Sequence, residues 1–254
     1  MISVLLGAIV IGVSLGLMGS GGSILTVPIL HYLIHQPEKV AIAGSLLVVG
    51  SIAAFGGLQN VARGSVHWRS VLWFGVPGMA GTWLGARLSA FASGTVQLAL
   101  FDAVMLAAAV FMLRPAKLDA SASAAHKQKA RWKIVLDGLV VGVLTGFVGV
   151  GGGFLIVPAL VLLGGLDMRL AVGTSLLIIA LKSFSGFVKY LDVLAERDLH
   201  LDYSVLGWFI GIGVLGSLFG SAVGKRVPQA GLQRSFGVML LLASIGILIA
   251  LLVE

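Results

Sequence analysis

One glycine-rich motif occurs twice in this chain. It reads GLMGSGGSILTVP from Gly16 to Pro28 and returns as GFVGVGGGFLIVP from Gly146 to Pro158. The same offset in numbering relates AIAGSLL, which starts at Ala41, to AVGTSLL, which starts at Ala171. Chance could match two glycine-rich apolar stretches. The shared proline, the shared serine and the unbroken register make duplication the better explanation.

The duplication extends through the rest of each half. Five extra residues enter the second copy, and an aromatic pair and three glycines then recur at a correspondingly larger offset. These are Trp73, Phe74, Gly78, Gly81 and Gly85 in the first copy and Trp208, Phe209, Gly213, Gly216 and Gly220 in the second. We therefore divide the chain into a first repeat, 1–113, a basic linker, 114–133, and a second repeat, 134–254.

The composition is that of an integral membrane protein. Hydrophobic residues make up 58% of the chain and charged residues 11%, whereas about 25% of a soluble domain is charged. The mean hydropathy is +1.08. The chain contains no cysteine, which excludes disulfides, thiol catalysis and thiolate metal sites. In such a chain the net charge of +7 indicates basic cytoplasmic loops and not nucleic-acid binding.

Each half contains four apolar runs, most of which suit one crossing of a bilayer by ~20 helical residues. The runs are 1–33, 40–60, 70–90, 96–113, 134–165, 170–190, 204–223 and 234–253. The first run of each half would make a straight helix of ~50 Å, too long for a core of ~30 Å. Because the glycine cluster lies near its middle, we predict a helical hairpin with its turn at Ser20–Ser23 or at Gly151–Gly153.

The loop charges decide how the halves are oriented. A hairpin plus three transmembrane helices gives each half an odd number of crossings and inverts the halves, whereas a single crossing by the first run would make them parallel. Short cytoplasmic loops carry an excess of Lys and Arg, which places the linker 114–133, with six Lys or Arg and one Asp, in the cytoplasm. Inversion then puts the basic loop 224–234 inside and the acidic loop 189–204 outside. We predict an all-α, polytopic inverted repeat in the inner (plasma) membrane.

The two glycine breaks are the predicted substrate site. Inverted repeats with discontinuous helices are a recurring plan of secondary transporters, which bind their substrate near the midplane. The free amides and partial positive charge at the start of a return helix favour an anion. Alternatively, the glycines serve only tight turning and close helix packing. The candidate substrate-binding residues of the breaks are Ser20, Gly21, Gly22, Ser23, Gly151, Gly152 and Gly153.

Four further side chains are candidates for substrate binding. Ser45, Thr174 and Ser175 could donate to a substrate oxygen or to a neighbouring helix. Lys182 stands midway along an apolar run, where an ammonium is costly, so we predict a functional role for this residue. It could bind an anion, change protonation during transport, or form a structural pair with Asp102. The first copy has Ile52 at the equivalent position, so any role of the charge is asymmetric.

Other chemistries lack support in the sequence. The five histidines form no spaced ligand set, and the glycine patterns lack the strand–turn–helix context of a nucleotide site. There is no evident nucleophile–base pair at membrane depth. We expect no metal, no cofactor and no enzymatic activity.

The paired G-x-x-G-x-G-G-x-x-L-x-V-P motifs and the G-S-L-L and T-S-L-L segments resemble the sulfite exporter TauE/SafE family over essentially the whole chain. The resemblance implies a secondary transporter, a permease or exporter, for sulfite, a sulfonate or a related sulfur-containing anion. Gly44 stands where the family more usually has threonine, so any hydroxyl role is lost there. The positions that match the family motifs are Gly21, Gly22, Gly151, Gly152, Thr174 and Ser175.

The expected partners are a small anionic substrate and the lipid bilayer, with protons or the membrane potential as the driving force. The alternative is a passive anion channel that uses the same glycine breaks as a filter.

Overall fold

The computed structural model describes residues 2–88, 94–114, 131–148, 153–196 and 198–253, and the regular structure within them is helical. The first half contains α1 (Ile2–Met18), α2 (Gly22–Pro28) with a π-helical turn (Ile29–Leu33), α3 (Glu38–Ala62), α4 (Trp68–Ser70) with a second π-helical turn (Val71–Gly75), α5 (Val76–Leu88) and α6 (Gly94–Leu113). The second half contains α7 (Arg131–Val148), α8 (Gly153–Pro158) with a third π-helical turn (Ala159–Leu163), α9 (Met168–Glu196), α10 (Tyr203–Arg226) and α11 (Gln229–Val253).

The first long run folds as a broken helix whose second part turns back. Gly19 has a φ of +77°, which glycine adopts without steric cost, and α2 begins three residues later. A Cβ on Gly22 would lie 2.7 Å from Leu15 Cγ, and a Cβ on Gly7 would lie 2.7 Å from Ile29 Cγ2. Later residues of the return segment thus contact earlier residues of α1, so α2 runs antiparallel to α1. The turn begins one residue before the predicted Ser20–Ser23.

The two halves interlock through four helix pairs. α1 packs along α10 and α5 along α7, while α3 packs along α9 and α6 along α11. In the central α3–α9 pair, Leu46 contacts Gly186 and Gly57 contacts Leu177, so these equivalent helices run antiparallel. When each helix is replaced by its equivalent in the other half, the α1–α10 pair becomes the α7–α5 pair. The α3–α9 and α6–α11 pairs stay the same. Helices at equivalent positions of the two repeats therefore make equivalent contacts.

The glycines that recur in the two repeats lie where helices of the two halves touch. The Cα of Gly12 faces the backbone carbonyl of Gly213, and at the equivalent crossing Gly142 faces that of Gly78. The same correspondence holds for Gly16 against Ser217 and Gly146 against Thr82, and for Gly220 against Val13 and Gly85 against Val143. A side chain at these glycines would collide with main chain. Small residues allow this close approach, which is a common way to pack helices inside a membrane.

The outer surface is apolar, as expected in a bilayer. Three described helical segments are long and apolar enough to cross a membrane: Lys39–Ala62, Met168–Glu196 and Tyr203–Gly224. Large apolar side chains such as Leu6, Leu215 and Leu242 are exposed, and in water such a surface would drive association. The protein is thus an all-helical, membrane-embedded chain.

Two predicted boundaries fall differently in the structure. α7 begins at Arg131, three residues before the predicted start of the second repeat, and α9 continues to Glu196, past the predicted end at 190. Hydropathy marks only the apolar part of a helix, whereas polar residues at its ends also form helical turns. The body of the linker, 115–130, and the candidates Gly151 and Gly152 lie outside the described residues.

Candidate functional site

The short helices of the two halves meet at their first turns. A Cβ on Gly153, the first residue of α8, would lie 2.8 Å from Ser23 Oγ and 3.1 Å from Ile179 Cδ1. Ser23, in the first turn of α2, donates from Oγ to the carbonyl oxygen of Ser20 at 2.7 Å. The structure therefore brings three predicted site residues, Ser20, Ser23 and Gly153, into one buried cluster between the halves.

Within this cluster Ser20 has an available polar group. Its side chain is 0% exposed, and its Oγ makes no hydrogen bond to any residue that the structure describes. The neighbouring candidates face elsewhere: a Cβ on Gly21 would meet Met239 of α11, and Gly22 packs on α1. The hydroxyl of Ser20 can therefore serve a ligand or a water molecule.

Helix α9 passes beside the first break. Ser175 Oγ donates to the carbonyl oxygen of Val172 at 2.9 Å and lies 3.4 Å from the carbonyl oxygen of Gly19. In the other half, Ser45 Oγ donates to the carbonyl oxygen of Ile42 at 2.7 Å, an equivalent bond within α3. Each hydroxyl therefore has a hydrogen bond within its own helix, and Ser175 Oγ also lies within hydrogen-bond reach of the carbonyl oxygen of Gly19 at the first break.

Thr174 faces the connection between α3 and α4 and not the breaks. Its Oγ1 donates to the carbonyl oxygen of Leu170 at 2.6 Å and accepts from the backbone N–H of His67 at 2.9 Å. One residue along a helix rotates a side chain by about 100°, which separates Thr174 from Ser175. The structure therefore places Thr174 beside the connection between α3 and α4, where it accepts a hydrogen bond from another segment.

His67 caps the first turn of α4. Its ring Nδ1 lies 2.8 Å from Ser70 Oγ and accepts from the backbone N–H of Ser70 at 3.3 Å. Burial, and then the nearby charge of Arg69, lower the pKa of His67 below its ordinary value. Asp202, at the corresponding position of the second half, caps α10 by accepting from the backbone N–H of Ser204 and Val205.

Lys182 is buried on α9, two helical turns beyond Ser175. The side chain is 4% exposed, and its Nζ donates to Thr145 Oγ1 of α7 at 3.0 Å. The Thr145 hydroxyl in turn donates to the carbonyl oxygen of Gly142 at 3.0 Å. The equivalent Ile52 of α3 packs instead against Gly213. One half thus has an apolar contact where the other has a buried amine.

Asp102 and Arg87 each contact an uncharged side chain. Asp102 of α6 accepts a hydrogen bond from Ser244 of α11, and this replaces the pair with Lys182 that the sequence left open. The guanidinium of Arg87 stacks on Trp83, with its carbon 3.7 Å from the ring centroid. A cation at this distance from an indole face is attracted to it.

An apolar groove of about 520 Å³ opens beside the first break, between α2 and α11. Its walls include Gly21, which precedes α2, Ile24 and Leu25 of α2, and Val238, Met239 and Leu242 of α11. Such walls suit a hydrocarbon chain and not an anion, so we distinguish this groove from the polar cluster at Ser20 and Ser23.

Sequence reasoning missed two residues of this region, Thr145 and His67. Both are distant in sequence from their partners, and no motif marks them. Within the described residues, no three His, Asp or Glu side chains are grouped as metal ligands would be.

Comparison with known proteins identifies the family. The model of the family described as sulfite exporter TauE/SafE matches residues 4–247. The chain belongs to the TauE/SafE family. The doubled glycine motif and the central α3–α9 pair therefore belong to a member of this family.

Curated relatives extend over nearly the whole chain. A protein of Xylella fastidiosa strain Temecula1, named Probable membrane transporter protein, is 32% identical over 240 residues, covering 92% of this chain and 90% of the relative. Probable membrane transporter protein YdhB of Bacillus subtilis strain 168 is 25% identical over 224 residues, covering 85% of each. No solved structure shows a significant match to the chain.

Proposed function

We propose that this membrane transporter moves a small sulfur-containing anion, sulfite or a sulfonate, across the bacterial plasma membrane as a secondary transporter. Family membership and the names of the relatives support membrane transport. The anionic substrate is our inference from the polar cluster at the breaks and from the buried amine of Lys182.

One observation carries the proposal. The short helices that follow the two glycine motifs are far apart in sequence, yet they meet where Ser23 contacts Gly153. Irregular backbone at membrane depth is tolerated where it is buried in protein or lines a cavity. The same cluster holds the hydroxyl of Ser20, which has no partner among the described residues, and the oxygen of Ser175. A small anion at this point would contact both halves at once.

We further propose that the two repeats, 1–113 and 134–254, are inverted, with the linker in the cytoplasm. The antiparallel packing of α3 against its equivalent α9 supports inversion, because parallel repeats would make equivalent helices run in the same direction. The returning α2 also supports it, since a hairpin gives each half three full crossings.

The absence of cysteine from the chain offers a direct test of this topology. A single cysteine in the linker, Ala120→Cys, and one before α10, His200→Cys, should react with an impermeant maleimide from opposite sides of oriented membrane vesicles. Labelling of both from the same side would contradict the inverted arrangement.

Transport itself is tested by flux of sulfite and methanesulfonate into proteoliposomes. Gly153→Leu should abolish saturable flux, because its side chain would occupy the space of Ser23 and Ile179. Gly211→Leu is the matched control, since a Cβ there meets no atom within 4 Å and the residue is on the exposed face of α10. Equal flux through both variants would contradict a site at the breaks.

The same assay separates transport from a passive channel. A transporter gives saturable flux and accumulates the anion against its gradient when a driving force is applied. Flux that rises linearly with anion concentration and never accumulates it would favour the channel.

A further inference from the structure

The amine of Lys182 is buried without a counter-charge among the described side chains. Its hydrogen-bond acceptor is the neutral hydroxyl of Thr145, and the ion pair found among residues with described side chains is Lys189–Asp192, at the end of the same helix. Removing an ammonium from water is energetically costly unless an anion is paired with it. Both an amine and an ammonium can donate the hydrogen bond to Thr145, so the contact is compatible with either protonation state.

Among the side chains that the structure describes around Lys182, none contributes a carboxylate that pairs with it. The elements packed against α9, together with α7, carry few titratable groups, and none with a described side chain pairs with Lys182. These groups are Glu38, Lys39, Arg87, Arg131, Lys133, Asp137 and Arg234. Asp137 lies two turns before Thr145 on α7, which is ~12 Å along the helix axis. On α9 itself, Arg169 lies more than three turns before Lys182, and Lys189 lies about two turns after it.

Only one half of the duplication carries this group. Ile52 occupies the equivalent place in α3 and is fully buried against Gly213. Leu15 stands where the second half has Thr145, so the acceptor is also confined to that half. The equivalent positions of the first half are thus both apolar and buried, and this half is built without an amine–hydroxyl hydrogen bond there.

We propose that Lys182 carries the proton of an anion–proton symport, taking up one proton when the anion binds and releasing it when the anion leaves. This proposal rests on the proposed function and adds the ion whose movement is coupled to that of the anion. Without substrate the side chain is the neutral amine. The anion A⁻ enters with H⁺ from the same side, and the pair Lys182–NH₃⁺·A⁻ is electrically neutral. On the other side the anion departs, the ammonium returns its proton to water, and the amine is restored.

Proton uptake on binding is the first test. Methanesulfonate is the probe, because it stays a monoanion across the working pH range. Titration calorimetry of the purified protein in two buffers of different ionisation enthalpy should give about one proton taken up per anion bound. Lys182→Met, which imitates the uncharged state in shape, should reduce this number to near zero. Binding without proton uptake by the wild type, or unchanged uptake by Lys182→Met, would overturn the proposal.

Flux under defined gradients is the second test. One proton per monoanion is electroneutral, so an inward gradient of about one pH unit should accumulate methanesulfonate about tenfold, and a potassium-diffusion potential should have no effect. Lys182→Arg holds a permanent charge, and its flux should respond to the potential and no longer to the pH gradient. If the arginine side chain does not fit, Lys182→Met replaces it in the test. This variant should lose the proton-driven accumulation of methanesulfonate.

The two proposals fail in different ways. If the wild-type protein neither binds nor moves any anion, the proposed function is wrong and the symport with it. If it moves methanesulfonate in response to the potential alone, the transporter stands and the role of Lys182 in coupling is wrong.

Discussion

Gly153, which begins α8, lies against the hydroxyl of Ser23 in the first turn of α2. The contact joins the two repeats at the start of the short helix that follows each glycine motif. Neither residue has a charged side chain, so the contact matters through its position between the two repeats.

This contact predicts a coupled pair of substitutions. Gly153→Ala places a methyl 2.8 Å from Ser23 Oγ, and overpacking of this kind costs about 1–3 kcal/mol. The double variant Gly153→Ala with Ser23→Gly should recover most of that loss, because the obstructing side chain is removed. Thermal unfolding in detergent measures both. Strictly additive effects would mean that the two residues are not in contact.

The two equivalent glycine crossings should respond alike. Gly16→Ala and Gly146→Ala each push a methyl into a backbone carbonyl, that of Ser217 and that of Thr82. We expect each to lower the unfolding free energy by about 1–3 kcal/mol. Gly211→Ala is the control and should be neutral or slightly stabilising, because alanine favours helix by up to ~1 kcal/mol and the position is open. A large loss at only one crossing would contradict their equivalence.

The hydrogen bond of Lys182 predicts a graded series at Thr145. Thr145→Val deletes the acceptor and leaves a buried N–H unpaired, which costs about 1–3 kcal/mol. Thr145→Ser keeps the oxygen and should remain close to the wild type. In a Lys182→Met background the valine substitution should cost far less, since no donor remains. Unfolding measurements on the four proteins of this cycle test the contact, and an undiminished cost in the Met background would contradict it.

His67 makes stability depend on pH in a defined direction. Burial, and then Arg69, hold its pKa in the folded protein below the ordinary 6.5. The unfolded chain therefore binds the proton more readily, so stability is full above the unfolded pKa and falls as the pH drops through it toward the folded value. His67→Asn keeps a capping acceptor without a titrating ring, and should flatten this part of the profile between about pH 8 and pH 5. Identical acid sensitivity in both proteins would show that His67 is not responsible.

Several features of the fold could be predicted from residues close together in sequence. The glycines between Gly16 and Gly22 interrupt an apolar run that is too long for one crossing, and the structure breaks the helix there. Hydropathy located the other helices to within a few residues. Loop charge predicted inversion, which stays a proposal that the antiparallel α3–α9 pair supports.

The partners of individual side chains could not be predicted in this way. Ser175 and Thr174 are neighbours in one motif, yet α9 turns the first toward Gly19 and the second toward His67. The sequence raised Asp102 as a structural partner of Lys182, but Thr145 accepts its hydrogen bond, because the partner depends on which helix lies across from α9 at that depth.

The sequence by itself determined the membrane character, the duplication and the position of the first helix break. Each of these follows from local composition, from spacing, or from a comparison of the chain with itself. The tertiary structure alone decided that Ser23 meets Gly153, that the glycines of α1 pack on α10, and that Lys182 is buried beside a hydroxyl. Those contacts depend on the packing of helices that lie far apart in the chain, such as α1 and α10, and no local pattern encodes the rotation of one helix against another.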